Sequence, residues 1–395
     1  MYFNSLLELS FQAILTYGIL LVGFSFFRKH IRYQKTKQNN LIGEDNYQIQ
    51  RQHNCGNAYV VAFSSFIHDD STKQLNKFKN IQLKCLTLLK EYIFKYPSLE
   101  KMYLEDINNY VTEYNNIPEC KSENDLVKYF KPNLLAVVNI PSKNTVGIML
   151  NHVYLGGSFF VKVGEIFTNG KFPGLHSNKT YWLYPEHTAL KFIFTHYIPN
   201  KIYDIVYPHK LLSISNNLKR YTYNFDLQLL KTKIPGLRSN SLVVYQALSN
   251  IINFTNKNKL KICLTYAFEH DEVLYNNVGC IFFEFNKNHD PKLLENTLKS
   301  NSYQILATNT LMQCVQQSKT TRKNIDVMFT MMYVKNSHYN GDKYFNSFLN
   351  IADYPIYVFG ITVDNISHIT NTVMTDEFNF KTAVFSTPNS YCYEL

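Results

Sequence analysis

The stretch 144–170, NTVGIMLNHVYLGGSFFVKVGEIFTNG, constrains the fold more than any other part of the chain. An apolar run from Val146 to Leu150 ends at Asn151 and His152. Gly156 and Gly157 follow, and then Phe159, Phe160, Val163, Ile166 and Phe167 recur at spacings of three and four. Short apolar runs bounded by turn residues suit buried strands, whereas that spacing suits one face of a helix. The stretch therefore reads as strand, tight turn, helix. A histidine at such a junction is held by rigid elements on both sides. An imidazole with an ordinary pKa of about 6.5 accepts a proton near neutrality, so His152 is the candidate general base.

The run His152-Val153-Tyr154-Leu155-Gly156-Gly157 resembles the signature of the chloramphenicol acetyltransferase-like acyltransferases, which include wax ester synthases and alcohol acyltransferases. That signature is a histidine, three residues, then Asp-Gly, set between a strand and a helix. The histidine and the final glycine match, and the acidic position is Gly156. The resemblance implies that His152 takes a proton from an alcohol, amine or thiol attacking an acyl thioester. The family's aspartate shapes the loop through an ion pair, and here the loop must be held another way. A second place fits as well: Asn276-Asn277-Val278-Gly279 opens a strand, and wax ester synthase-like members carry an Asn and a Gly there. Asn277 is then a candidate oxyanion donor, a role worth about 3 kcal/mol for one such donor in a serine protease. Asn151, Gly156, Gly157 and Gly279 are the positions expected to line the substrate site. Thr330 stands roughly where the family has a polar residue in a late strand.

The amino end is expected to be different in kind. Residues 9–27 are nineteen consecutive uncharged residues, LSFQAILTYGILLVGFSFF, making about 28 Å of helix, close to a hydrocarbon core. Arg28, Lys29, Arg32, Lys35 and Lys37 follow, and only Glu8 precedes. The positive-inside rule then predicts a single-pass anchor at residues 1–29 with the bulk of the chain in the cytosol. Residues 30–57, polar and without apolar periodicity, read as a tether.

The formal net charge is +10, with much of its basic density beside that apolar stretch, where it suits anionic headgroups. The remainder is dispersed and matches no nucleic-acid module, so no nucleic-acid partner is expected. Seven cysteines at irregular spacing contain no C-x-x-C pair, which leaves zinc-ribbon and thioredoxin-like readings without support. His176, His187, His196 and His209 have no metal-ligating spacing and read as structural or surface histidines, so no metal site is expected.

Along the rest of the chain, residues 58–67 read as a strand. Residues 74–96 read as a helix with Phe78, Ile81, Cys85, Leu88, Leu89, Tyr92 and Ile93 on one face. Residues 97–119 read as a short strand and connection, and 123–129 as a short helix. Residues 134–140 and 145–150 form a hairpin delivering His152. Residues 170–236 carry no clear pattern. Then come a helix at 241–254, strands at 261–268 and 280–285, one long helix at 291–317, and strands at 325–334, 354–363 and 367–373.

The expected fold is α/β, two similar mixed-sheet lobes at 58–236 and 237–395 with an interlobe tunnel, as the resemblance implies. The function it implies is acyl transfer from an acyl thioester to a hydroxyl or amine of a lipid or small molecule. Acyl-CoA would be the co-substrate, with no bound cofactor. The rival expectation is a catalytically inactive binding or assembly protein on the same scaffold.

Overall fold

The computed structural model describes residues 2–37, 59–66, 71–93, 135–140, 145–151, 162–163, 165–166, 185–215, 219–267, 278–314, 325–334, 342–350, 354–363, 365–379 and 391–394. The chain opens with α1 (Tyr2–Lys37), β1 (Tyr59–Phe66), α2 (Ser71–Ile93), β2 (Leu135–Ile140) and β3 (Thr145–Asn151). A helical arm follows: α3 (Pro185–Phe192), a π-helical segment Ile193–Tyr197, and α4 (Ile198–Val206). Next come β4 (Lys219–Asp226), α5 (Leu227–Lys233), α6 (Ser239–Asn253), β5 (Lys259–Ala267), β6 (Val278–Asn286), α7 (Pro291–Ser300) and α8 (Tyr303–Cys314). The last elements are β7 (Val327–Val334), β8 (Asp342–Asn350), β9 (Ile356–Val363), β10 (Ile366–Val373) and β11 (Tyr391–Glu394).

Two sheets carry the architecture. The first has the order β2-β3-β1-β8 and the second β11-β4-β10-β9-β7-β5-β6. In the second, β7 runs parallel to β5 and to β9, and the other pairs are antiparallel, so the sheet is mixed. One of its faces is the main core. Tyr221, Tyr223, Phe225, Ile262, Leu264, Phe283, Phe329, Val358 and Ile369 alternate along their strands onto that face, and α6 and α7 cover it with Val244, Leu248, Ile251, Leu294 and Leu298. Period-2 alternation puts such residues on one side, and the three-and-four spacing of α6 lets a helix meet them. Two aspartates start helices here. Asp226 accepts from Gln228 N and Leu229 N to begin α5, and Asp290 accepts from Lys292 N, with Pro291 at the first turn of α7.

The hairpin expected at 134–150 is present. β2 and β3 pair with Leu135 opposite Leu150 and Ile140 opposite Thr145. α2 buries Phe78, Ile81, Cys85 and Leu89, as its spacing foretold. Burial pushes the Cys85 thiol up to about 12, the state of an inert core cysteine. Of the helix expected after Gly157, residues 162–163 and 165–166 are helical and Val163 is buried. The elements expected at 97–119 and 123–129 lie outside the described residues.

Several expectations are corrected. The helix at 291–317 is two helices, broken at Asn301 and Ser302. Ser302 N reaches Lys299 O, and Gln304 N starts again on Asn301 O. The tether does not begin at residue 30, because α1 runs on through Lys37. Arg28, expected to face headgroups, is buried and paired with Glu186 of α3 at 2.7 Å. Among the described residues no helix is long and apolar enough to cross a membrane. α1 packs against α3 and α8, with Tyr17 and Arg28 tied to α3 and Leu21 and Phe24 half-buried. Three strands, β4, β8 and β11, were not foreseen. β4 joins the second sheet, whereas β8 leaves it after β7 and crosses to the first.

Candidate functional site

The approach to His152 is built by three strands. β3 lies inside the first sheet, between β2 and β1, and its last residue, Asn151, stands opposite Tyr59. Tyr59 in turn stands opposite Asn350, the last residue of β8. β3 thus ends at Asn151 as an interior strand, with the end of β8 one strand away across β1. β8 also runs alongside β9 and β10, which brings the two sheets together there. His152, Gly156 and Gly157 lie outside the described residues.

The approach to Asn277 is built at the other sheet. Asn277 lies outside the described residues, and the next residue, Val278, opens β6 opposite Ala267, the last of β5. Gly279 lies within β6, opposite Tyr266, and is buried. β5, β7 and β9 all end on this side, and the carboxyl ends of parallel strands are where open α/β sheets take ligands.

Among the described residues β6 is an edge strand, and α8 lies where a further strand would pair. Gln304 Oε1 accepts from Phe282 N at 2.9 Å, Thr308 Oγ1 accepts from Cys280 N at 2.7 Å, and Asn309 Nδ2 donates to Val278 O at 3.0 Å. The match is metrical: four helical residues rise about 6 Å and two strand residues about 6.6 Å, so positions 304 and 308 meet 282 and 280. These buried polar residues were read from the sequence as part of a plain helix. Their spacing of four within an apolar stretch was the available signal. The other end of the Gln304 amide points to His196, its Nε2 lying 3.4 Å from the imidazole Nδ1. His196 stacks on Phe192 and Phe282, and burial holds its pKa below the ordinary value, so a neutral ring receives the amide proton.

Behind this end runs a chain of hydroxyls on the sheet face opposite the core. Thr265 has one proton for two contacts: where it donates to Phe329 O at 3.1 Å, the 2.6 Å contact between Thr265 and Thr330 is met by the Thr330 proton, and both bonds form. Tyr357 O–H then donates to Thr330 at 2.8 Å. In that arrangement every proton of Thr265 and Thr330 is committed within the chain. Thr330 can accept from a ligand but has no proton for an oxyanion, so its place is structural.

Two further histidines fall where the sequence put them. His187 is exposed and its Nδ1 meets Tyr17 OH at 2.6 Å, and His209 pairs with Asp326. His176 lies outside the described residues. On β10, His368 Nδ1 donates to Asn224 Oδ1 at 2.9 Å, and desolvation pulls its pKa down to about 4. Among the described residues no group of three or more His, Cys, Asp or Glu side chains could hold a metal ion.

No family model and no curated protein sequence matches the chain. Among solved structures it is similar to TRI3, the trichothecene 15-O-acetyltransferase from Fusarium sporotrichioides, at a TM-score of 0.52 and 10% identity, over 87% of this chain and 92% of that one. The fold is chloramphenicol acetyltransferase-like. The starter condensation domain of rhizomide synthetase RzmA, solved with C8-CoA and Leu-SNAC, aligns over 87% of this chain and 90% of its own at a TM-score of 0.46 and 8% identity. The crossing of β8 into the first sheet gives the mixed two-sheet arrangement its continuity.

Proposed function

We propose that this chain is an acyltransferase moving an acyl group from an acyl thioester, of the acyl-CoA class, to a hydroxyl or amine. The observation that carries the reading is β3: an interior strand that ends at Asn151 and hands the chain to His152, within a fold shared with an O-acetyltransferase. In the proposed step His152 takes the proton from the acceptor hydroxyl or amine as the freed lone pair attacks the thioester carbonyl. The carbon–sulfur bond then breaks, and the leaving thiolate takes that proton back from His152. Asn277, at the entry to a strand pinned by α8, would donate to the oxyanion formed in between. Asn151, Gly156, Gly157 and Gly279 would flank the acyl and acceptor groups. The pattern at His152 and Asn277 favours wax ester synthase-like chemistry, with a hydroxyl acceptor.

The test is thiol release by the full chain from a panel of acyl-CoA donors, with and without mixed alcohols and amines, comparing wild type with His152→Ala. Acceptor-dependent release that falls on the order of 10²–10⁴-fold in the variant supports the reading. Gly156 at the family's acidic position favours a second reading, a scaffold that binds acyl thioester without turning it over. Retained acyl-CoA binding with no release from any donor would select that reading.

A further inference from the structure

The helical arm after α3 has its polarity reversed. In a surface helix on a globular protein, apolar residues face inward and charges face water. In α4 the half-buried positions are Lys201 and Asp204, and Asp204 is paired with Lys261 of β5. Ile198, Ile202, Ile205 and Val206 point outward, continuing the exposed Phe194, and Ile205 is 80% exposed. No residue of the π-helical segment or of α4 is buried.

α1 repeats the pattern on the same support. Its inward stripe carries polar ties, Tyr17 to His187 and Arg28 to Glu186, both on α3. Its outward side is Ile14, Leu15, Ile19, Val22, Phe26 and Phe27, with Ile14 and Phe26 each 70% exposed. Two helices held by polar contacts, α1 to α3 and α4 to β5, therefore both present apolar faces outward. Exposed apolar helix faces of this kind mark interaction surfaces.

We infer that α4 and the outward side of α1 lie together in the interface of an anionic lipid bilayer, resting on it and not spanning it. Charge selects the occupant. Between residues 185 and 215 the two carboxylates, Glu186 and Asp204, are both in ion pairs, whereas Lys191 and Lys210 are exposed. At the carboxyl end of α1 Lys29 is exposed, and the sequence from there to Gly43 carries Arg32, Lys35 and Lys37 and no acidic residue, a cationic stretch that would repel a second copy and attract anionic headgroups. Tyr197, Tyr203 and Tyr207 are exposed along α4 and its ends, where amphipathic rings suit the headgroup level. An amphipathic helix in this position sinks its apolar face about 5–10 Å into the headgroup boundary.

The inference stands apart from acyl transfer, and thiol release plays no part in its test. The sequence has a single tryptophan, Trp182, so Ile205→Trp in a Trp182→Phe background gives one indole on α4. If that background fails to fold, Ile205→Trp in the wild-type chain is read by difference. The full-length protein is mixed with phosphatidylcholine vesicles containing a minority of phosphatidylserine, with and without brominated acyl chains. The expected result is a blue shift of indole emission, quenching by the brominated lipid, and loss of vesicle cosedimentation in Ile202→Ser/Ile205→Ser/Val206→Ser. An unshifted indole on protein that still cosediments would overturn the role of α4 and leave α1 alone on the lipid. No cosedimentation overturns the inference altogether. A blue shift without lipid, together with a doubled solution mass, would replace the bilayer with a second copy of the chain.

Discussion

His209 Nε2 donates to Asp326 Oδ2 across 3.0 Å, at the end of the second sheet away from Asn277. Asp326 is fully buried and does more than this. Its Oδ1 accepts from Leu212 N at 2.7 Å and its Oδ2 from Lys261 N at 2.8 Å, so one carboxylate ties the segment after α4 to β5 and to the start of β7. Asp326→Ala removes the acceptor of two backbone donors and of an imidazole. At about 1–3 kcal/mol for each buried donor left unmet, it should cost about 4 kcal/mol. Asp326→Asn keeps one acceptor oxygen and should cost about half as much. Denaturant midpoints at unchanged m-value measure both, and equal losses would mean that the negative charge, not the number of acceptors, is what matters.

The cap of β6 by α8 makes a local claim. Gln304→Leu removes the acceptor of Phe282 N, and Thr308→Val removes that of Cys280 N, each at about 1–3 kcal/mol. Hydrogen exchange should speed at those two amides in the matching variant while the amides of β9 keep their protection. Unchanged exchange at Phe282 and Cys280 would show that α8 merely lies beside the strand. Because the strand begins one residue after Asn277, both variants should also lower the rate of thiol release more than they raise KM.

What the sequence made legible follows from periodicity. β1, α2, the β2–β3 hairpin, α6, β5 and β6 were all read close to their observed bounds, because each has either a short apolar run or a three-and-four stripe that local contacts reinforce. β4 also alternates, with Tyr221, Tyr223 and Phe225 buried, but Arg220, Thr222 and Asn224 between them hid the strand within a polar region. β8, DKYFNSFLN, has its place set by pairing with β1 across almost three hundred residues, and no local pattern carries that information. At the candidate site the strand leading to His152, β3 ending at Asn151, was legible in the sequence. The α8 side chains that fix the approach to Asn277 were not, because Gln304, Thr308 and Asn309 take their meaning from an edge strand.

His368 gives the fold a pH window. Its pKa in the folded chain is about 4 against 6.5 for an ordinary imidazole, and desolvation is the cause. A depressed folded pKa contributes stability that is complete above the unfolded value and is lost as pH falls toward the folded one. Between about pH 6.5 and 4 the unfolded chain gains a proton at this site that the folded chain does not. The loss should approach about 3 kcal/mol at the bottom of that window. His368→Gln, which keeps an amide donor for Asn224, should be less steeply destabilised over the same range. Parallel pH–stability curves for the two proteins would mean that His368 is not the group responsible.

The hydroxyl chain and Asn277 assign the oxyanion differently, and two variants separate them. Thr330 spends its proton on Thr265 and receives one from Tyr357, so Thr330→Val should cost about 1–3 kcal/mol of stability and leave kcat for thiol release nearly unchanged. Asn277→Ala should do the reverse, lowering kcat on the order of 10²–10³-fold with little effect on the melting temperature. A donor already used within the sheet cannot be aimed at developing charge without breaking the chain that holds β5, β7 and β9 in register. A large kcat loss in Thr330→Val with an intact fold would mean that Thr330 turns its proton away from Thr265 when substrate is bound. The oxyanion role would then pass from Asn277 to the centre of the sheet.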